Sequence, residues 1–191
     1  PQIDKPRSRI ILLAKTFEGY QNLIKLVTRS NIDGFYYRPR VDQELIKEHA
    51  KDLICIVPSF AGEPAQHLKN GDTERAAESL DWYRGVFGDD CYLEITHHPE
   101  ILDHNENQGR IKKLATDTNT PLVAAHDVYY LEQDDAIARE VMRKIYSGGV
   151  VEITQDINED FSFKSQAEIK EFFKDTPEAV ANSVKIAQSC N

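Results

Sequence analysis

Four short apolar runs recur along the chain, each bounded by polar residues, glycine or proline. They lie at residues 9–14, 53–57, 91–95 and 121–125. Continuous apolar runs of this length are typical of strands that are covered on both faces of a parallel sheet. We therefore predict four buried strands, and two further short strands at residues 150–153 and 161–163.

Segments with helical periodicity separate the predicted strands. A long helix begins after the N-cap residue Thr16, and Asp42 caps a short one. The long helix has one apolar stripe, which consists of Phe17, Tyr20, Leu23, Ile24 and Val27. Further helices are predicted at residues 63–87, 105–117 and 133–146, and after the capping residues Ser165 and Thr176. The alternation predicts an α/β fold of right-handed βαβ units, with a parallel sheet or barrel in one domain over residues 1–191.

Composition and charge narrow the class of protein. The chain is 40% hydrophobic and 29% charged, and no apolar run is long enough to cross a membrane. Its formal net charge of −9 argues against a chain-wide clamp for nucleic acid, although residues 1–51 contain 10 Lys and Arg against 6 Asp and Glu. Three widely spaced cysteines predict neither disulfides nor a thiolate zinc site. The start at Pro1, without a signal peptide, leads us to expect a cytoplasmic piece of a longer protein.

Candidate chemistry lies on the loops that follow three of the strands. Glu63 follows the second strand, His97 and His98 follow the third, and His126 and Asp127 follow the fourth. Ligands of parallel βα folds bind at the carboxyl ends of the strands, so these side chains are expected to face one point. Imidazoles and carboxylates are ligands of zinc, manganese and iron, and the pattern therefore predicts a metal site.

Each of these residues also has an ordinary structural interpretation. Glu63 is a favourable first-turn carboxylate of a helix, and Asp127 suits a turn or an N-cap. Of the adjacent pair His97 and His98, at least one is expected to point to solvent. The remaining histidines lie on helical surface patterns and are predicted to be solvated; they are His49, His67 and His104.

A second candidate site is the irregular segment Gly34-Phe-Tyr-Tyr-Arg-Pro-Arg40. It combines rings that stack with guanidinium groups, which suits single-stranded nucleic acid or a protein partner. The candidate contact residues are Tyr36, Tyr37, Arg38 and Arg40. The alternative is a packed loop whose arginines pair with nearby acids. Phosphate-binding glycine loops and the serine-hydrolase elbow are not found in the sequence.

Five strings in the sequence resemble one known family. They are residues 10–27 (IILLAKTFEGYQNLIKLV), Gly34-Phe-Tyr-Tyr-Arg-Pro-Arg40, Ala61-Gly-Glu63, Tyr92-Leu-Glu94 with His98, and Asp127-Val-Tyr-Tyr-Leu131. Together they resemble the PHP (polymerase and histidinol phosphatase) domain at the N-terminus of bacterial DNA polymerase III alpha subunits. The similarity runs from about residue 9 to residue 191.

The resemblance implies a distorted seven-stranded βα barrel with metal ions, zinc or manganese, at the carboxyl ends of its strands. The family's His-x-His motif is absent, so we expect most of a barrel whose first strands are missing. Helices at about residues 165–191 are expected to lead towards the next polymerase domain. Uncovered sheet edges in such a fragment predict dimer formation or local repacking.

The resemblance also assigns roles to individual residues. Glu63 matches the family's bridging glutamate, His98 its histidine after the third strand, and Asp127 the aspartate of Asp-x-His, with His126 as a further candidate ligand. Two positions depart from the family, since Tyr129 and Arg139 stand where histidines are usual. A tyrosine replaces an imidazole poorly because its phenol ionises only near pH ~10.

Two functions compete at this point. One is a metal-dependent 3′–5′ exonuclease that proofreads in the intact protein, with Glu63, His98 and Asp127 holding the ions. The other is a structural and docking module of the polymerase, with no polymerase activity of its own, no metal requirement and no membrane contact. Its partners would be the remaining polymerase domains, a separate proofreading exonuclease and, in the holoenzyme, DNA. The departures at Tyr129 and Arg139, with the missing His-x-His, favour the second.

Overall fold

The fold is a four-stranded sheet with helices on both faces. The computed structural model describes residues 7–149 and 160–190. The strands are β1 (Ile11–Ala14), β2 (Leu53–Val57), β3 (Cys91–Ile95) and β4 (Leu122–Ala124). The helices are α1 (Phe17–Ile32), α2 (Gln43–Glu48), α3 (Glu63–Lys69), α4 (Thr73–Phe87), α5 (His104–Asp117), α6 (Ala136–Tyr146), α7 (Gln166–Phe172) and α8 (Pro177–Ser189). Short 3-10 turns lie at Gly88–Asp90 and Gln133–Asp135.

The strand order is β1-β2-β3-β4, and only the last three strands are parallel. The prediction of an entirely parallel sheet is wrong for β1, which runs antiparallel to β2 with Ile11 opposite Ile56. An apolar run has no direction, so the sequence pattern could not reveal this. Parallel sheets commonly carry an antiparallel strand at the edge, and β1 is an edge strand. Its Ile11 is exposed, whereas Leu12 and Leu13 pack against the cores on the two faces of the sheet.

The described residues thus form a mixed α/β fold that is consistent with part of the expected barrel. The strand predicted at residues 150–153 lies outside the described residues. Around residue 162 there is an isolated parallel bridge between Ser162 and Tyr130 instead of a strand. Among the described helices, none is both long and apolar enough to span a membrane.

Alternation along β2 and β3 divides the buried side chains between two faces of the sheet. Cys55, Leu93 and their neighbours face the large core beneath α3, α4 and α5. Ile54 and Tyr92 face the opposite side, where Ile186 of α8 covers them. Because both faces are buried, β2 and β3 are apolar at almost every position, as the parallel-strand pattern requires.

Most of the apolar stripe of α1 faces outwards, although its member Leu23 packs against the core. Its buried residues are Gly19, Asn22, Leu26 and Ser30, whereas Phe17, Tyr20, Ile24 and Val27 are exposed. Gly19 explains this orientation, because a Cβ there would lie 2.3 Å from the carbonyl oxygen of Asp52. Asn22 adds a hydrogen bond from its side-chain amide to the carbonyl of Lys51 at 3.1 Å. A close helix–loop contact therefore fixes the face that is buried.

We expect Gly19→Ala to destabilise the chain by roughly 1–3 kcal/mol, although alanine is the better helix former, because the methyl group has no room. Gly109→Ala in α5 is the matched control, since nothing lies within 4 Å of its Cβ position. That control should stabilise by about 0.5–1 kcal/mol. Urea unfolding monitored by circular dichroism measures both. Equal effects of the two substitutions would contradict the close contact.

Candidate functional site

The chain leaving β3 is held by two side chains from α5. The Thr96 backbone N–H donates to Oε1 of Gln108 at 3.1 Å, and the His98 N–H donates to Nε2 of His104 at 3.0 Å. His104 and Gln108 are four residues apart, so they lie on one face of the helix. His104 is 2% exposed, and the prediction that it is solvated is therefore wrong. A surface helical pattern misplaced it because the helix begins at this residue and turns it inwards.

His104 serves this role as a neutral imidazole. Burial lowers its pKa, so the ring is uncharged near neutral pH. Its Nε2 also lies 3.0 Å from the carbonyl oxygen of Thr96, which a ring protonated at Nε2 would use instead. In either tautomer, one backbone group of the turn after β3, the His98 N–H or the Thr96 carbonyl, gains a hydrogen-bond partner from His104.

His98, positioned by this turn, lies between two carboxylates. Its Nδ1 is 3.2 Å from Oε1 of Glu100, and its Nε2 is 3.6 Å from Oδ2 of Asp127. Burial alone would lower the pKa of His98, but Asp127 and Glu100 together raise it. The same contact with His98 lowers the pKa of Asp127. The structure thus brings two predicted site residues together as an ion pair.

His126 lies against His98, with ring centroids 4.9 Å apart and an angle of 20° between the planes. Burial lowers the pKa of His126, with a further contribution from His98, so a neutral ring is stacked on a charged one. The two imidazoles thus pack face to face behind the His98–Asp127 pair.

Phe161 covers this stack from the far end of the chain. Its ring centroid lies 5.1 Å from that of His98 and 5.1 Å from that of Tyr129. The backbone N–H of Tyr129 donates to the Phe161 carbonyl at 2.9 Å. The Arg139 guanidinium stands over both rings, 4.1 Å from the Tyr129 centroid and 4.8 Å from the Phe161 centroid. The two positions that depart from the family pattern thus contact each other in a cation–π interaction.

Glu94 is a site residue that the strand-end rule missed. Its Oε2 accepts hydrogen bonds from the backbone N–H of Ser59 at 2.9 Å and from the Ser59 hydroxyl at 3.3 Å. Burial raises the pKa of Glu94, and the nearby charge of Asp127 raises it further. The available signal was a single carboxylate inside the otherwise apolar run of β3.

Glu63 makes its contacts elsewhere. It begins α3, where the Tyr83 hydroxyl donates to its Oε2 at 3.4 Å and His67 Nε2 lies 4.0 Å from its Oε1. Burial, followed by the charge of Glu63, raises the pKa of Tyr83. No contact with His98 or Asp127 is found for Glu63 in the described part of the chain. These interactions match its structural interpretation as a first-turn carboxylate.

The structure brings only some of the predicted metal ligands together. Across residues 7–149 and 160–190, no group of three or more His, Cys, Asp and Glu side chains is arranged to hold an ion. Among the described residues, ring nitrogens of His98, His104 and His126 are buried without a hydrogen-bond partner. The Arg139 guanidinium adds a positive charge beside Tyr129. The structure thus pairs His98 with Asp127 and places Glu63 with Tyr83 instead.

A cleft of about 720 Å³ leads from this site to the aromatic segment. Its walls include the carboxylates Glu94 and Asp127 and the side chains of Arg7, Arg9 and Arg40. In the aromatic segment, the Tyr36 and Tyr37 rings meet edge to face at 4.7 Å, and the Arg40 guanidinium lies 5.1 Å from the Tyr36 centroid. The second candidate site thus opens onto the first.

Comparison with known proteins gives the class to which this fold and site belong. Residues 2–98 match the PHP domain family, and the chain belongs to it. The family resemblance inferred from the sequence motifs is confirmed.

The more specific relationship is to DNA polymerase III subunit alpha. The Borreliella burgdorferi protein of that name is 36% identical over 193 residues, which are 99% of this chain and 17% of the relative. The Treponema pallidum protein is 36% identical over 190 residues, 95% of this chain and 16% of the relative. The Deinococcus radiodurans protein is 38% identical over 136 residues, 71% of this chain and 10% of the relative. The chain spans about one sixth of the length of the first two.

The ion pair predicts a window of pH in which Asp127 stabilises the fold. The raised pKa of His98 gives stability that is complete below about pH 6.5 and is lost as pH rises through the folded value. The lowered pKa of Asp127 gives stability that is complete above about pH 4 and is lost as pH falls. Urea unfolding of wild type and Asp127→Asn should therefore differ most between about pH 4 and 6.5.

The control for this titration is Asp134→Asn, which changes an exposed carboxylate in the turn before α6. It should not reproduce the window. A wild-type advantage over Asp127→Asn that stays constant from pH 3 to 9 would contradict the ion pair.

Proposed function

We propose that this chain is a structural and docking module within the alpha subunit of a bacterial DNA polymerase III, and that it acts in DNA replication without hydrolysing DNA itself. The similarity to three such subunits supports this role. Its main partner is the rest of the polymerase chain, with a proofreading exonuclease as a further partner, in the bacterial cytoplasm. The complete domain would be the seven-stranded barrel of the family.

The observation that carries the docking role is the orientation of α6. Ile137, Val141 and Ile145 recur every four residues and are all exposed. On the neighbouring side of the helix Glu140 is buried, and its Oε1 accepts a hydrogen bond from Arg143 at 2.8 Å. An amphipathic helix normally turns its apolar stripe towards a core. Here the stripe faces outwards, which is the arrangement of a helix whose apolar side is covered by a partner.

Another part of the same polymerase is the occupant that best fits this face. An amphipathic helix with apolar residues at i, i+4 and i+8 docks into a hydrophobic groove. The chain spans only 17% of a relative, so most of the polymerase is available to supply such a groove. Arg139 connects α6 to the strand-end site, since its guanidinium stands over the rings of Tyr129 and Phe161.

The site at the strand ends supports a role without hydrolysis. Arg139 stands over Tyr129, so the two positions that are usually histidines in the family hold a guanidinium and a phenol instead. A guanidinium repels cations, and the phenol would have to ionise before it bound one. The observation in favour of the competing exonuclease is the pairing of His98 with Asp127.

We expect no metal-dependent nuclease activity from the purified chain. Single-stranded DNA labelled at its 5′ end, incubated with Mn²⁺ or Zn²⁺, should be degraded no faster than in the presence of the Asp127→Ala variant. The physical reason is that the described donors form an ion pair instead of a metal centre. Turnover that requires the metal and is abolished by both Glu63→Ala and Asp127→Ala would establish the exonuclease instead.

We expect Ile145→Asp to act only when the partner surface is present. In the isolated chain its effect on the free energy of unfolding should stay within about 0.5 kcal/mol, because the side chain is exposed. In the polymerase chain that carries this domain, the buried charge should lower the melting temperature by several degrees and reduce DNA synthesis. Differential scanning calorimetry and primer extension measure these effects.

The matched control is Val184→Asp, which places the same charge on an exposed apolar position of α8. Equal losses for the two variants would show that any added helix charge is harmful. Unchanged stability and synthesis with Ile145→Asp would remove α6 from the docking surface.

A further inference from the structure

The turn between α1 and α2 holds an aromatic ring in an unusual conformation. Tyr37 has a φ of 58° and is 82% exposed. Left-handed backbone is rare for an aromatic residue and costs free energy that no burial of this ring offsets. Gly34 helps to enforce the turn, since a Cβ there would lie 2.0 Å from the Arg40 carbonyl oxygen. The Tyr36 N–H closes it by donating to the Arg38 carbonyl at 3.2 Å.

The contacts within the turn leave one ring and one guanidinium facing solvent. Tyr36 supports the edge of Tyr37, and Arg40 supports Tyr36 through a cation–π contact. Arg38 is exposed, and no ion pair of Arg38 is found among the residues that the structure describes. The exposed ring of Tyr37 and the exposed guanidinium of Arg38 therefore lie side by side on the turn.

The cleft beside the turn continues the same chemistry. Arg7, Arg9 and Arg40 line it, together with the half-exposed ring of Phe60. The same cleft contains the carboxylates Glu94 and Asp127, of which Asp127 is paired with His98. Arg7 and Arg9 thus line a cleft in which one of the two carboxylates is already paired with a histidine.

We propose that the turn and this cleft bind single-stranded nucleic acid. Tyr37 stacks on a base, Arg38 contacts the adjoining phosphate, and Arg7 and Arg9 contact phosphates along the cleft. Aromatic rings alternating with arginines are the means by which proteins hold single strands without reading their sequence. No hydrolytic step is involved, and the binding does not depend on the α6 docking face.

The distribution of charge favours a polyanion over a protein and sets the path of the strand. Residues 1–51 contain 10 basic against 6 acidic residues, in a chain whose net charge is −9. The groove on the other flank of the turn is more acidic than basic, since its lining includes Asp33, Asp42, Glu44 and Glu48 together with Arg29 and Arg40. A single strand of nucleic acid is therefore attracted to the cleft and repelled from the groove on the other flank.

The test uses a fluorescein-labelled 12-nucleotide oligothymidylate and fluorescence anisotropy at 20–200 mM KCl. The logarithm of the wild-type association constant should fall with the logarithm of salt concentration with a slope of about −2, as expected for three phosphate contacts. Tyr37→Ala should weaken binding about tenfold at every salt concentration. Arg38→Ala should reduce the magnitude of the slope by about 0.7.

Two exposed residues on other helices provide the controls. Tyr146→Ala on α6 and Arg75→Ala on α4 should bind as wild type does. Circular dichroism verifies that the turn variants remain folded. Absence of binding at 100 µM protein and 20 mM KCl would overturn the proposal. Equal losses in the turn variants and the controls would overturn it as well.

Discussion

The candidate site depends on how the chain satisfies its backbone where it leaves β3. Buried N–H groups of Thr96 and His98 cannot reach solvent, so the fold must supply acceptors. Two side chains of α5, His104 and Gln108, do so from adjacent turns of the helix. This contact joins the helix to the strand end and determines where His98 lies. The ion pair with Asp127 follows from that position.

The surroundings of three neighbouring histidines shift their pKa values in different directions. Burial lowers the pKa of His104 and of His126, whereas two carboxylates raise the pKa of His98. The Arg139 guanidinium over Tyr129 adds a positive charge beside the His98–Asp127 pair. Burial and charge pairing together therefore set the electrostatics of the site.

Local sequence patterns predicted the strands and part of the site for clear physical reasons. Strands buried on both faces must be apolar throughout, and the carboxyl-end rule correctly brought His98 and Asp127 together. The direction of β1 depends on the path of a long connection that periodicity does not encode. The outward face of α1 depends on a close contact at Gly19, which no stripe of apolar residues reveals. Glu63 shares its spacing with a metal ligand but is directed to Tyr83 by its helix.

The outward stripe of α6 has a consequence for protein synthesis. On the docking role, this apolar face is exposed from the moment the domain folds until the partner surface has been made. Exposed apolar surfaces of this kind promote aggregation of folding intermediates. The time between folding of the domain and synthesis of the partner surface then determines how much of the protein aggregates. Chaperones that act in this interval reduce the loss. On this role, the solubility of the protein in the cell depends on the order in which its segments are translated.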